Sequence, residues 1–260
     1  MGLFVKKLSP EEELPSSIQP PVLLLHGFCE DHTIWENMLS AFPGRTIYLV
    51  DLPGFGKSNV ELPNPLSIDW VAEVIYRQVI DPEKIEPIVV GHSLGGYVAL
   101  ALAEKYGNSL SGLCLFHSTV FADSGEKKAT RNKVIDFVNK SGVESFTTEF
   151  VPGLFHSLFR RKNPVIVQQV VDLAAGTRLD TLTAYTAAMR DRPERSEVLK
   201  MFEQPKLIIA GEKDGAVPLA QSLLMKEMVG SDQFVLLEET AHMGMYEKPE
   251  ACKKALSSLA

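Results

Sequence analysis

Cysteine is scarce. The 260 residues hold three, Cys29, Cys114 and Cys252, an odd number at wide spacing. This excludes a disulfide framework and a cysteine-based zinc cluster, and it fits a reducing compartment. Positive charge is short as well: 26 Lys and Arg against 33 Asp and Glu leave a net −7. Such a balance argues against a polyanion-binding surface, because nucleic-acid affinity rests on Lys and Arg neutralising phosphates. No apolar run reaches membrane-spanning length, and no internal repeat is present. Met1 to Lys7 lacks the basic-then-apolar order of a secretory leader, and Lys6 stands where a myristoylation signal has Ser or Thr. The expectation is a cytoplasmic protein with no metal, no cofactor, no nucleic acid and no membrane partner. Its oligomeric state stays open.

What is present is a chain large enough for one substantial core, with 45% hydrophobic and 23% charged residues, the usual proportions of a globular protein. Fully apolar runs at Val22–Leu25 and Leu113–Phe116 read as strands buried on both faces. Further strands are expected at Leu3–Leu8, Thr46–Asp51, Pro87–Gly91, Lys206–Gly211 and Gln233–Leu237. The first is followed by an acidic, proline-bearing loop that runs through Pro20 and Pro21. Helical spacing falls between the strands: Thr33–Phe42, Ser67 to about Val79, Ser93–Tyr106, Leu219–Val229 and Pro249–Leu259. Strands alternating with helices predict an α/β fold with a mostly parallel sheet. From Asp123 to Lys200 the pattern changes to charged, helix-favouring segments, including Lys127–Lys140, Pro164–Ala175 and Leu179–Met189. Because strands resume afterwards, residues 123–200 are expected to form a helical lid inserted into a core made of 1–122 and 201–260.

One stretch carries chemistry. Ile88-Val89-Val90 stops at Gly91, Ser93 follows two residues later, and a helix with Gly95 and Gly96 at its start takes over. A serine on a tight strand-to-helix turn holds its hydroxyl above the sheet, and the glycines leave room for strand and helix to pass. Such a hydroxyl needs a base, and the base needs a partner that fixes its tautomer. The order Ser, Asp, His is met by Asp214, after the strand ending at Gly211, and by His242, after the strand ending near Leu237. Glu212 and Asp123 are rival acids. His117, at a strand end, is the main rival base and is otherwise expected to line the substrate pocket with His26 and His92; His32 and His156 fit the base role poorly. Donors for a developing oxyanion are expected from the main-chain N–H groups of Leu94 and Phe28. Cys29 lacks the surroundings that would organise a thiol mechanism.

These landmarks resemble the α/β-hydrolase superfamily over nearly the whole chain: His26-Gly27-Phe28 with Trp35 downstream, Asp51-Leu52-Pro53-Gly54-Phe55-Gly56-Lys57-Ser58, Gly91 to Gly96, Gly211 to Asp214, and His242. The resemblance implies the α/β-hydrolase fold, about seven strands flanked by helices, with Ser93 as nucleophile, His242 as base and Asp214 as acid. Ser93, where relatives with a carboxylate nucleophile carry Asp, argues against dehalogenase and epoxide hydrolase chemistry. Met189-Arg190-Asp191-Arg192-Pro193 is similar to small bacterial-type esterases and to enol-lactone hydrolases. The lid length is similar to carrier-protein methyl ester esterases, carbon–carbon bond hydrolases and the lyase-like enzymes of menaquinone synthesis. Many relatives have a hairpin before the first buried strand, whereas here only one strand precedes Val22. The expectation is a cofactor-independent serine hydrolase of a small carboxylic ester, thioester or lactone. Alternatives are a triad-dependent carbon–carbon hydrolase or lyase, with Arg131, Arg160, Arg161, Arg178, Arg190 and Arg192 as candidate carboxylate binders, and a ligand-binding receptor with little turnover.

Overall fold

The computed structural model describes residues 2–10 and 19–259, so most of the acidic loop expected before Pro20 lies outside the described residues. Seven strands make one sheet: β1 (Val5–Leu8), β2 (Val22–Leu25), β3 (Ile47–Val50), β4 (Ile88–His92), β5 (Gly112–Phe116), β6 (Lys206–Gly211) and β7 (Phe234–Leu237). Their order is β1-β3-β2-β4-β5-β6-β7. Only β1 runs antiparallel to its neighbour, with Val5 opposite Val50; every other pair is parallel. A parallel sheet needs both faces covered, and the strands show how. Leu23, Leu25, Val89, Leu113 and Leu115 enter one apolar cluster, while Val22, Leu24, Ile88, Val90, Cys114 and Phe116 enter the other. Neighbouring side chains on a strand point to opposite faces, which is why these runs are apolar throughout rather than alternating.

The helices are α1 (Ile68–Ile75), α2 (Asp81–Glu83), α3 (Leu94–Tyr106), α4 (Gly125–Ser141), α5 (Val143–Phe150) and α6 (Ser157–Lys162). They continue with α7 (Pro164–Ala175), α8 (Leu179–Asp191), α9 (Ser196–Met201), α10 (Leu219–Val229), α11 (Gly244–Glu247) and α12 (Pro249–Ser257). Ser67 caps α1, its hydroxyl accepting from the Trp70 N–H at 3.1 Å. The expected helix at 33–42 forms instead as a 3₁₀ helix, His32–Ala41, started by the Asp31 carboxylate on the Thr33 N–H and burying Ile34, Trp35 and Met38. Between β5 and β6 there are six α-helices, three more than the segments named from the sequence. The additional α5, α6 and α9 are six to eight residues long, about two turns each, too short for periodicity to stand out. No described helix is long and apolar enough to cross a membrane.

In the sheet order, β3 lies on one side of β2 and β4 on the other. Successive connections therefore cross to opposite sides of β2, and the crevice beyond the carboxyl ends of β2 and β4 at such a switch is where α/β sheets hold their ligands.

Candidate active site

Because β2, β4, β5, β6 and β7 are parallel, the residues that follow them emerge at one edge of the sheet. Ser93 follows β4 at φ +50 and ψ −111, a strained conformation for a residue with a Cβ. The Ser93 N–H donates to the Phe116 carbonyl at 3.0 Å, and the Ser93 carbonyl accepts from the Ser118 hydroxyl at 2.7 Å. Glycine is required on both sides of this turn. A Cβ at Gly91 would collide with the Gly95 main chain, and one at Gly95 with the Leu25 and His26 carbonyls. Strand, turn and helix thus touch through their backbones, which fixes the direction of the Ser93 side chain.

Ser93 and His242 line the same cavity, of about 310 Å³. The His242 Nδ1 lies 2.8 Å from Asp214 Oδ2. Asp214 is itself held: its Oδ1 accepts from the Ala216 and Val217 N–H groups at 2.8 and 2.9 Å, and its Oδ2 lies 3.2 Å from His117 Nδ1. Burial by itself would raise the Asp214 pKa, but the His242 charge and the hydrogen bonds from His117 and His242 outweigh it and hold the carboxyl well below the usual range. Asp214 is therefore ionised and only accepts, so His242 donates from Nδ1 and turns Nε2 to the cavity. Neither the Phe28 nor the Leu94 N–H has an acceptor among the described residues, and Phe28 lines the cavity. An imidazole oriented in this way, a hydroxyl in the same cavity and unoccupied main-chain donors can together move a proton and hold a developing negative charge.

His26, His92 and His117 do not line this cavity, contrary to the expectation for them. Each is 0% exposed, because strand ends in a doubly covered sheet are sealed by the loops above them. His26 accepts the Leu52 N–H at Nε2, 2.9 Å, so its proton sits on Nδ1, 2.8 Å from the Gly27 carbonyl. It ties the Phe28 turn to the end of β3. His92 faces the His242 carbonyl with Nε2 at 3.1 Å and the Glu30 carboxylate with Nδ1 at 2.9 Å. Burial lowers the His92 pKa, yet the Glu30 charge and hydrogen bond raise it overall. Burial likewise opposes ionisation of Glu30, and the His92 charge overcomes it. Glu30 also accepts the Gly27 N–H at 2.6 Å. A buried ion pair therefore joins the Phe28 turn to the His242 backbone. Glu30 follows the His-Gly pair by three residues, and nothing in composition or spacing marks it.

His117 is driven by burial down to a pKa of about 4, against a rise from Asp214. Between pH 6.5 and 4 the unfolded chain thus takes up a proton at residue 117 that the folded chain does not, and stability falls as pH is lowered. Urea unfolding at pH 7 and pH 4.5 should show wild type losing about 2 kcal/mol more than His117→Asn over this interval; equal losses would exclude a buried neutral His117.

Among the described residues, two groups of side chains bring metal-type donors within 4.8 Å of one another: His117, Asp214 and His242, and Asp31, His32 and Asp51. In both, ring nitrogens and carboxylate oxygens are engaged with each other, His32 Nδ1 lying 2.7 Å from Asp51 Oδ1. Asp51, in the motif after β3, is bound to its own loop through the Lys57 N–H at 2.8 Å. A larger cleft of about 1200 Å³ runs along residues 56–66 and helices α7 and α8. It contains neither Ser93 nor His242, and Glu30 alone lines both spaces.

Residues 20–249 match the family described as alpha/beta hydrolase fold. Lipase 3 of Moraxella sp. is 23% identical over 237 residues, 87% of this chain and 73% of the lipase. The pimeloyl-[acyl-carrier protein] methyl ester esterase of Aeromonas hydrophila is 28% identical, over 89% of this chain and 91% of the esterase. Among solved structures, a thermophilic esterase from Thermogutta terrifontis superposes with a TM-score of 0.87 at 25% identity, covering 98% of this chain and 92% of that one.

Proposed function

The chain belongs to the α/β hydrolase fold family, and from that membership we propose that it is a serine hydrolase of small carboxylic esters, thioesters or lactones. The observation that carries the reading is the buried Asp214–His242 hydrogen bond, 2.8 Å, behind a ring that shares its cavity with Ser93. Similarity to named lipases and esterases supports it.

In this reading Ser93 Oγ attacks the carbonyl carbon as its proton passes to His242 Nε2. Asp214 holds the ring and stabilises its charged form. The oxyanion takes the N–H groups of Phe28 and Leu94, with the start of α3 adding a favourable field. Collapse breaks the bond to the alcohol or thiol, which leaves with the proton from Nε2. Water, deprotonated by His242, then attacks the acyl-enzyme, and Ser93 recovers its proton as the acid departs. No step requires a cofactor. Residues 123–200 act as a lid over the core formed by 1–122 and 201–260: Lys127, Phe146, Leu154 and Met189 from this segment line the cavity. The modest cavity volume suits a small-molecule substrate.

The test uses para-nitrophenyl esters from acetate to octanoate and a fluorophosphonate probe. Turnover, with the adduct mapped to the peptide containing Ser93, is the expected result. No turnover across the panel and no adduct would overturn the proposal.

A further inference from the structure

The six arginines that could meet a carboxylate are sorted by the fold. Arg178 pairs with Asp180 and Arg190 with Asp191 on the surface. The Arg160 guanidinium donates to the Pro152 carbonyl, Arg161 is exposed on α6, and Arg192 is buried over the Tyr97 ring. Only Arg131 lines the cavity of Ser93 and His242. It comes from α4, whose Lys127, Thr130, Arg131 and Val134 all line that cavity, the i, i+3, i+4, i+7 stripe of one helical face.

This wall carries more positive charge than the protein balances. Arg131 Nε donates to Asp123 Oδ2 at 3.0 Å, but Asp123 Oδ1 accepts from Arg192 at 2.7 Å, so one carboxylate serves two guanidinium ions. Lys127 Nζ donates to the Ala216 carbonyl at 2.8 Å, a neutral acceptor beside the Asp214 loop. Glu30, the acid that lines the cavity, is answered by His92 and the Gly27 N–H. The two Nη groups of Arg131 have no acceptor among the described residues and are not sealed from solvent. A guanidinium with both Nη groups open presents the fork that fits a carboxylate. Phe146, Phe150 and Leu154, also lining the cavity, offer apolar surface for a short chain.

We infer that the α4 wall is a carboxylate subsite, and that the substrate carries a free carboxylate on the same small molecule as the scissile carbonyl. Arg131 grips the carboxylate, Lys127 adds a second charge, and the apolar side chains cover the methylenes between. The inference rests on the proposal that Ser93 attacks an ester.

The test compares each carboxylate-bearing ester with a neutral partner, following acid release by pH-stat. Monomethyl adipate against methyl hexanoate places the charge in the acyl part. Para-butanoyloxybenzoate against phenyl butanoate places it in the leaving group. At least one charged ester should be preferred by about tenfold or more in kcat/KM, as a charge-assisted pair warrants. Arg131→Gln should cut that ratio by a similar factor, mostly through KM, with Arg131→Lys retaining part of it. Lys127→Met, which disturbs no carboxylate pair, should move the ratio the same way, and it decides the matter if the Arg131 variants do not fold. A wild-type protein that hydrolyses the neutral esters equally well, or a ratio unmoved by these variants, overturns the carboxylate subsite alone. Absence of hydrolysis of all four overturns the subsite alone if the para-nitrophenyl esters are still turned over, and the hydrolase reading with it if they are not and no fluorophosphonate adduct forms.

Discussion

A Ser93→Ala protein is expected to lose at least about 10⁴-fold in ester turnover while folding as wild type does. The two halves of this expectation have separate origins. The Ser93 side chain makes no capping hydrogen bond to α3; the turn is held instead by its main chain, through Phe116 and Ser118. Alanine at φ +50 is no more strained than serine, so the thermal midpoint should stay within a few degrees. The loss of turnover follows because nothing else in the cavity can take the nucleophile's place. Tyr97, Thr130 and Thr186 also line the cavity, but Thr130 and Thr186 donate their hydroxyls to the Glu126 and Leu182 carbonyls of their own helices, at 3.1 and 2.7 Å, and all three stand within helices rather than on a strand-to-helix turn. Residual rate should come from substrate positioning and the main-chain donors alone, which stabilise charge without forming an acyl-enzyme. Burst kinetics and intact-mass detection of the fluorophosphonate adduct measure this directly: the variant should show neither a burst nor an adduct. Turnover within tenfold of wild type would show that another group attacks.

The sequence revealed the sheet because β2, β4 and β5 are buried on both faces and have no polar face to blur them. It put Ser93, Asp214 and His242 just beyond strand ends, and a parallel sheet delivers such ends to one edge. Side-chain orientation around that edge was beyond it. His26, His92 and His117 occupy strand-end positions from which a pocket could be lined, yet their rings turn inward to Leu52, Glu30 and Asp214. Which way they turn depends on loops distant in sequence. Glu30 was missed for the same reason, its partner His92 being 62 residues away. Helix α4 was expected almost to the residue, but the stripe that faces the cavity follows from its packing on α8, and sequence spacing alone leaves every face of a charged helix equivalent.

Asp214→Asn should lower kcat by about 10³ to 10⁴-fold with KM little changed, the second largest effect expected. The asparagine keeps a carbonyl oxygen for the Ala216 and Val217 N–H groups, which now bind Oδ1 at 2.8 and 2.9 Å. Its amide nitrogen then falls where Oδ2 receives His242 and His117. A donor there cannot meet Nδ1–H, so His242 must move its proton to Nε2, and the ring loses its capacity to accept one from Ser93. The rival acids are placed otherwise. Glu212 accepts the Glu239 N–H at 3.0 Å and Asp123 is held between Arg131 and Arg192, so Glu212→Gln should stay within about twofold of wild type. Stability gives an independent reading. Because the Asp214 pKa is depressed on folding, its carboxylate contributes stability above its unfolded pKa of about 3.9, and that contribution disappears as pH falls through the folded value. The difference in unfolding free energy between wild type and Asp214→Asn should therefore be full at pH 7 and narrow below about pH 4. Wild-type turnover in Asp214→Asn, with loss in Asp123→Asn, would instead move the acid from the loop after β6 to the one after β5.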